Sequence, residues 1–308
     1  MRKIIINSFL DRNAVRHESL ADFCVTWLYY PSQKSERPET QHDYLYGAII
    51  NKLILERSEA AVCAKVNYCI ITPADIPQFV EKIIDAYFDV HICYQTDIAM
   101  DFLKASEKHW TQDERDRWRG VMNKLYILHP DLFGCYKKVL FLDCDLLIVD
   151  AARYLALLSE SATPAGVYEY SNRLRMNKIK THLVHSKFKN NQVIPKKYCT
   201  ADTAYYHCIN ASLLIVRSSE ADYETICADI ASVDGMYRRM PQLRTHVLYF
   251  PEQEYLTNFF AGRWHSVDFR FLSTADSPFH VAGKFWTETF FDRRTGIPSE
   301  FWNFFLGC

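Results

Sequence analysis

Between Lys138 and Asp150 the chain reads Lys-Val-Leu-Phe-Leu-Asp-Cys-Asp-Leu-Leu-Ile-Val-Asp, an apolar run interrupted by two carboxylates one residue apart. Apolar residues on both sides of the pair mark a buried strand, and a buried strand obliges the fold to cover it. Alternate side chains of a strand share a face, so Asp143 and Asp145 are expected to point one way and Cys144 back into the protein. Two hard oxygen donors would then converge on one spot. Two like charges at the end of a buried strand are costly, and a divalent cation is the usual compensation. A strand that simply ends in a solvated acidic turn is the competing reading and stays open at this point.

Around this stretch the pattern alternates. Strands are expected at Phe23 to Leu28, Val66 to Thr72, Asp89 to Cys93 and Cys208 to Arg217. Helices are expected from Asp43, in the N-cap position, to Ile54, then over Asp75 to Phe88, Asp113 to Leu128, Glu220 to Ser232 and Glu252 to Phe260. A short strand is expected near Val247 to Phe250. Such alternation predicts an α/β fold with a mostly parallel central sheet flanked by helices. From Ser171 to Thr203 the pattern is lost in a basic stretch that includes Lys178, Lys180, Lys187, Lys189, Lys196 and Lys197. A functional lid or binding loop and a solvated insertion are equal readings of it. With no repeat or low-complexity linker, a single domain over residues 1–308 is expected.

Composition narrows the function classes. With 36 Lys plus Arg against 37 Asp plus Glu, no long-range field recruits nucleic acid or an anionic membrane. Ten cysteines are scattered singly, without a Cys-x-x-Cys, and read as reduced thiols. The apolar stretch at the N-terminus is too short for a signal peptide, and no segment approaches the roughly 18 apolar residues of a membrane span. A cytoplasmic protein is the expectation. Only nine glycines occur, in neither a Gly-x-Gly-x-x-Gly nor a Walker arrangement, so phosphates would be held another way.

Short motifs follow one another from Phe23 to Trp286: Val25-Thr26, Tyr44-Leu-Tyr46-Gly47-Ala48, Lys124 within Met122-Asn-Lys-Leu125, Asp143-Cys144-Asp145, Asn210-Ala-Ser212, Glu252-Gln253-Glu-Tyr-Leu256-Thr-Asn-Phe259-Phe260, and Phe279-His280-Val-Ala-Gly283-Lys284-Phe-Trp286. Their order resembles glycosyltransferase family 8, the retaining enzymes of the Rossmann-like GT-A fold. The resemblance implies a uridine pocket at Thr26 and Tyr44. It also implies that Lys124, Gly283 and Lys284 meet the donor diphosphate, and that Asp143, Asp145 and His280 hold Mn²⁺ or Mg²⁺. Cys144 takes the middle place of the acidic motif, where alanine is more usual. Asn210 and Glu252 would bind the donor sugar, with Gln253 beside the anomeric carbon. The chain departs from the pattern at Ser212, which replaces glycine, and in the Gly283-Lys284 loop, which is about two residues shorter.

The implied activity is metal-dependent transfer of a hexosyl or pentosyl group from a UDP-sugar to a hydroxyl acceptor, with retention. The acceptor, whether glycan, protein or small molecule, is expected to be separate: self-priming at a tyrosine between the last two motifs is excluded because no tyrosine follows Tyr255. The basic segment from Asn177 to Lys197 is the candidate for shaping its site. A nucleotidyltransferase would use paired aspartates too, but with a Gly-rich loop near the first strand that this chain lacks. A non-catalytic nucleotide-sugar-binding protein on a decayed transferase fold is the alternative that the departures leave open, and a homodimer is also left open.

Overall fold

Strands β2 (Phe23–Leu28) and β5 (Lys138–Leu142) lie side by side and parallel at the middle of an eight-stranded sheet. This computed structural model describes residues 1–12, 16–31, 42–60, 65–98, 118, 120–148, 150–172, 188–199, 205–240, 251–274 and 282–284. The sheet order is β1 (Arg2–Ile6), β4 (Val90–Tyr94), β3 (Val66–Pro73), β2, β5, β8 (Tyr205–Val216), β7 (Ala165–Asn172) and β9 (His265–Val267). Five of the seven neighbouring pairs are parallel; β8 runs antiparallel to both of its neighbours. The predicted α/β architecture is therefore the observed one.

Period-two alternation sorts the central side chains onto two faces. Val25, Trp27, Leu140, Leu142, Leu213 and Ile215 meet Leu45 and Ile49 of helix α1 (Asp43–Glu56), Val80 and Ile84 of α2 (Gln78–Tyr87), and Tyr154 and Leu158 of α3 (Ala151–Glu160). Cys24, Leu28, Val139, Phe141, Ile209 and Leu214 face the other way. They meet the 3₁₀ run Asn123–Leu128 and helices α4 (Glu220–Ile230), α5 (Val233–Arg239) and α6 (Pro251–Phe259). Burial on both sides is what the near-continuous apolar sequence of these strands requires.

Two expectations change. The strand does not run on to Asp150. It stops at Leu142, Asp143 to Asp145 form a turn closed by the Leu146 N–H on the Asp143 carbonyl at 3.3 Å, and the chain re-emerges as β6 (Leu146–Ile148) in a separate ribbon with β11 (Ala282–Lys284) and β10 (Ser273–Thr274). The turn carries both carboxylates to the sheet's end instead of placing them within its buried middle, with the Asp143 side chain 21% exposed. The basic stretch is also shorter than expected, since β7 extends to Asn172 and β8 starts at Tyr205. Within it residues 188–199 fold back on the sheet, with Ile194 and Cys199 fully buried and Phe188 edge-on to Tyr168 at 5.0 Å. Lys178, Lys180, Lys187 and the strand expected near Val247 lie outside the described residues. Helix α1 begins at Asp43 but after His42, whose side chain makes no capping bond; α2 begins only after Pro77.

Strands β2, β3 and β4 step outward on one side while β5 joins β2 on the other, so the carboxyl ends of β2 and β5 flank the crevice where such a sheet binds ligands. Helix α1 seats the acidic turn in that crevice. Tyr44, Gly47 and Asn51 share one helix face at spacings of three and four. Gly47 lies so close to the turn that a Cβ there would sit 2.0 Å from the Cys144 carbonyl oxygen. Asn51 clamps β6, its Nδ2 donating to the Leu146 carbonyl at 2.6 Å and its Oδ1 accepting from the Ile148 N–H at 2.9 Å. From the opposite side the Cys144 thiol donates to the Leu28 carbonyl at 3.3 Å. Among the described residues no helix is long and apolar enough to cross a membrane, and eight cysteines are unbridged.

Two outcomes follow. Gly47→Ala would raise helix propensity on a solvent-facing helix, yet here it should lower the denaturant midpoint by the equivalent of about 2 kcal/mol, because the methyl must push the turn aside. Unchanged or increased stability would mean that helix and turn are not in contact. The second concerns pH. His17, His91 and His129 are at most 4% exposed, and burial pushes each imidazole down from 6.5 to about 4. His129 is held neutral, Nε2–H donating to the Asp11 carbonyl and Nδ1 accepting from the Asp131 N–H. The unfolded chain takes up protons near 6.5 and the folded chain only near 4, so stability is full above pH 6.5 and is lost as pH falls between those values. Urea titrations should show a loss on the order of 1–2 kcal/mol per histidine at pH 5 relative to pH 7.5; a flat profile would contradict this.

Candidate functional site

The acidic turn is met from across the sheet by an irregularity in β8. Gly166 of β7 pairs with Leu214, but the next residue, Val167, pairs with Asn210, so Ala211 to Leu213 are looped out of the β7–β8 ladder. Leu213 and Leu214 still pair with Leu142 and Phe141 of β5. Gly166 makes the detour possible, since a Cβ there would lie 2.4 Å from Ile209 Cγ2. A bulge exposes backbone groups that a ladder would have satisfied. Here they are taken up by the polar residues of the separate motifs. Asn210 Oδ1 accepts from the Ser212 N–H at 2.8 Å, and Gln253 Oε1 from the Ala211 N–H at 2.9 Å. The Ser212 carbonyl receives the Asp143 N–H at 2.8 Å, and the Ala211 carbonyl receives Lys124 Nζ at 3.4 Å.

Lys124 is the centre of the charge arrangement. It sits in the wholly buried Asn123–Leu128 run and is 5% exposed. Its ammonium is 2.9 Å from Asp143 Oδ1 and 3.4 Å from Glu252 Oε1, and it lies 5.4 Å from the centre of the Phe141 ring. Burial opposes the charge, but the fields of Asp143 and then Glu252 outweigh it, so the pKa of Lys124 is raised and the group stays an ammonium. Asp145 adds a third negative charge within range. Glu252 is 4% exposed, and its Oε2 receives no hydrogen bond from the described residues.

Among the described residues, three carboxylates face one ammonium in a poorly solvated place. That imbalance and its hard oxygen donors fit an oxophilic divalent cation on Asp143 and Asp145. Among the described residues no third His, Cys, Asp or Glu completes a ligand cluster. His280 lies outside the described residues. Strand β11 lies beside the acidic turn, since Gly283 pairs with Leu147 and Lys284 with Leu146, the residue after Asp145.

Thr26 pairs with Cys69 and Phe141 in mid-sheet, two residues before the end of β2, and is fully buried. Cys144 turns inward, as strand geometry had suggested, and burial, then Asp143 and Asp145, raise its thiol well above the usual range, so it anchors the turn as a neutral donor. Tyr44 is half-buried in the first turn of α1, on the face that meets the acidic turn. Asn51 and Gly166 escaped the sequence reading. An isolated glycine inside a strand pattern was the available signal for the bulge; nothing in the sequence distinguishes Asn51 from any other helix amide.

No family model matches the chain. It is 24% identical over 230 residues to uncharacterized protein R707 of Acanthamoeba polyphaga mimivirus; the match covers 74% of this chain and 66%, slightly under two thirds, of that relative. Among solved structures it is similar to galactosyltransferase LgtC in complex with donor and acceptor sugar analogs, at 14% identity and a TM-score of 0.45 over 92% of this chain and 95% of that one. It is also similar to mouse xyloside xylosyltransferase 1, at 11% and 0.44 over 83% and 88%, and to core-mannan synthase A of Aspergillus fumigatus in an Mn/GDP form, at 8% and 0.44 over 83% and 73%.

Proposed function

We propose that this protein is a metal-dependent retaining glycosyltransferase of the GT-A type, which moves a sugar from a UDP-sugar donor to the hydroxyl of a separate acceptor. One observation carries the reading: Lys124, Asp143, Asn210, Glu252 and Gln253, drawn from four distant stretches of sequence, meet around a single bulge at the switch point of the sheet. A structural ion pair needs two of these residues. A donor with a diphosphate, a sugar and a leaving group needs all five.

Each residue then has a definite task. Asp143 and Asp145 would hold the divalent cation, with His280 as a further ligand, and the bound cation would supply Lewis-acid stabilisation of the departing diphosphate. The Lys124 ammonium adds a second positive charge to the same leaving group. Glu252 Oε2, buried and without a donor among the described residues, accepts hydrogen bonds from sugar hydroxyls, because leaving it unpaired would cost about 1–3 kcal/mol. Gln253 is a poor nucleophile, a neutral amide whose oxygen already accepts from the Ala211 N–H. It positions the sugar face, and the acceptor oxygen approaches on the side the diphosphate leaves, passing its proton to the departing phosphate oxygen. Inversion followed by a second inversion would require a carboxylate on the opposite face, and none is assigned.

The test is UDP release from a panel of UDP-sugars with Mn²⁺. Turnover of one donor is expected, abolished by chelation and reduced about a hundredfold or more in Asp145→Asn. UDP binding without release from any donor, with or without added acceptors, would instead favour the non-catalytic binding protein. Anomeric NMR of the first product should show the donor's configuration; an inverted product would overturn the front-face mechanism while leaving the transferase.

A further inference from the structure

We infer that Lys124 is the counter-ion that a divalent cation displaces from Asp143, so that its ammonium becomes available to the donor diphosphate only after the metal has arrived. The inference rests on the metal site proposed above and adds an order of events to it. Of the three groups around Lys124 Nζ, Asp143 Oδ1 is in direct contact at 2.9 Å, whereas Glu252 Oε1 and the Ala211 carbonyl stand at 3.4 Å. The tightest partner of the ammonium is therefore also a metal donor. The lone pairs that bind one are the lone pairs that bind the other.

A dication on the aspartate pair would repel an ammonium held against the same carboxylate by several kcal/mol at a few ångströms, even with the screening of a protein surface. Lys124 would then lean on partners already in place, Glu252, the Ala211 carbonyl and the Phe141 ring face. Being 5% exposed, it stays within the site when it leaves Asp143. Before metal arrives, the same ion pair keeps a buried, acid-rich turn from repelling itself apart.

Binding of Mn²⁺ alone, followed by the loss of the free-ion EPR signal and without nucleotide, separates this from a purely structural lysine. The decisive variant is Lys124→Met/Glu252→Gln, which removes one positive and one negative charge and so leaves the net charge of the site unchanged. It should bind Mn²⁺ about tenfold tighter or more, because the competitor for Asp143 is gone. Equal or weaker binding in the folded double variant would overturn the inference while leaving the metal site standing. Absence of saturable Mn²⁺ binding in both proteins would remove the metal site itself, and the inference with it. In the wild type, ¹³Cε of Lys124 should shift on titration with Mg²⁺ alone; a resonance that stays fixed while Mg²⁺ binds would also overturn it.

Discussion

A buried ammonium ion is expensive, and the site is organised around meeting that expense. Removing Lys124 from water is tolerable only because Asp143 and Glu252 reach it from different elements, one from the end of β5 and one from the first turn of α6. Those carboxylates are in turn stabilised by the ammonium. The mutual dependence fixes the spacing between two layers of the protein that share no local sequence.

The β8 bulge converts that electrostatic constraint into backbone geometry. In a regular ladder the Ala211 and Ser212 peptide groups would be consumed by β7; looped out, they become acceptors for Lys124 and Asp143 and donors to Gln253 and Asn210. Side chains that would contact a ligand are therefore held by the scaffold through one end and offered through the other. Preorganisation of this kind is what a site needs if it is not to spend binding energy on ordering itself.

Much of this was legible in the sequence, and the rest was hidden for identifiable reasons. Period-two and helical patterns located β2, β3, β4, α1, α4 and α6 within a few residues, because apolar runs such as Phe23–Leu28 have no other comfortable environment. The acidic pair was found by its flanks, yet the continuous strand read through it was wrong. An apolar run cannot report that Leu146 to Ile148 have left the sheet for the ribbon held by Asn51. Thr26 lies two residues before the end of β2, where its side chain is fully buried. Ser212 in place of glycine reads as a defect in sequence but is accommodated because the bulge, not a bare backbone, makes room there.

The ribbon that pairs Leu147 with Gly283 joins residues 136 positions apart, and it does so directly beside the acidic turn. During synthesis the central sheet can form as soon as β8 has emerged, but the turn gains this neighbour only when the last described strand has left the ribosome. Long-range pairings of this kind form late because their loop entropy is met only after the local structure exists. The surroundings of the acidic turn are therefore complete only once β11 has been made, and a product that stopped before it would carry the sheet without that ribbon.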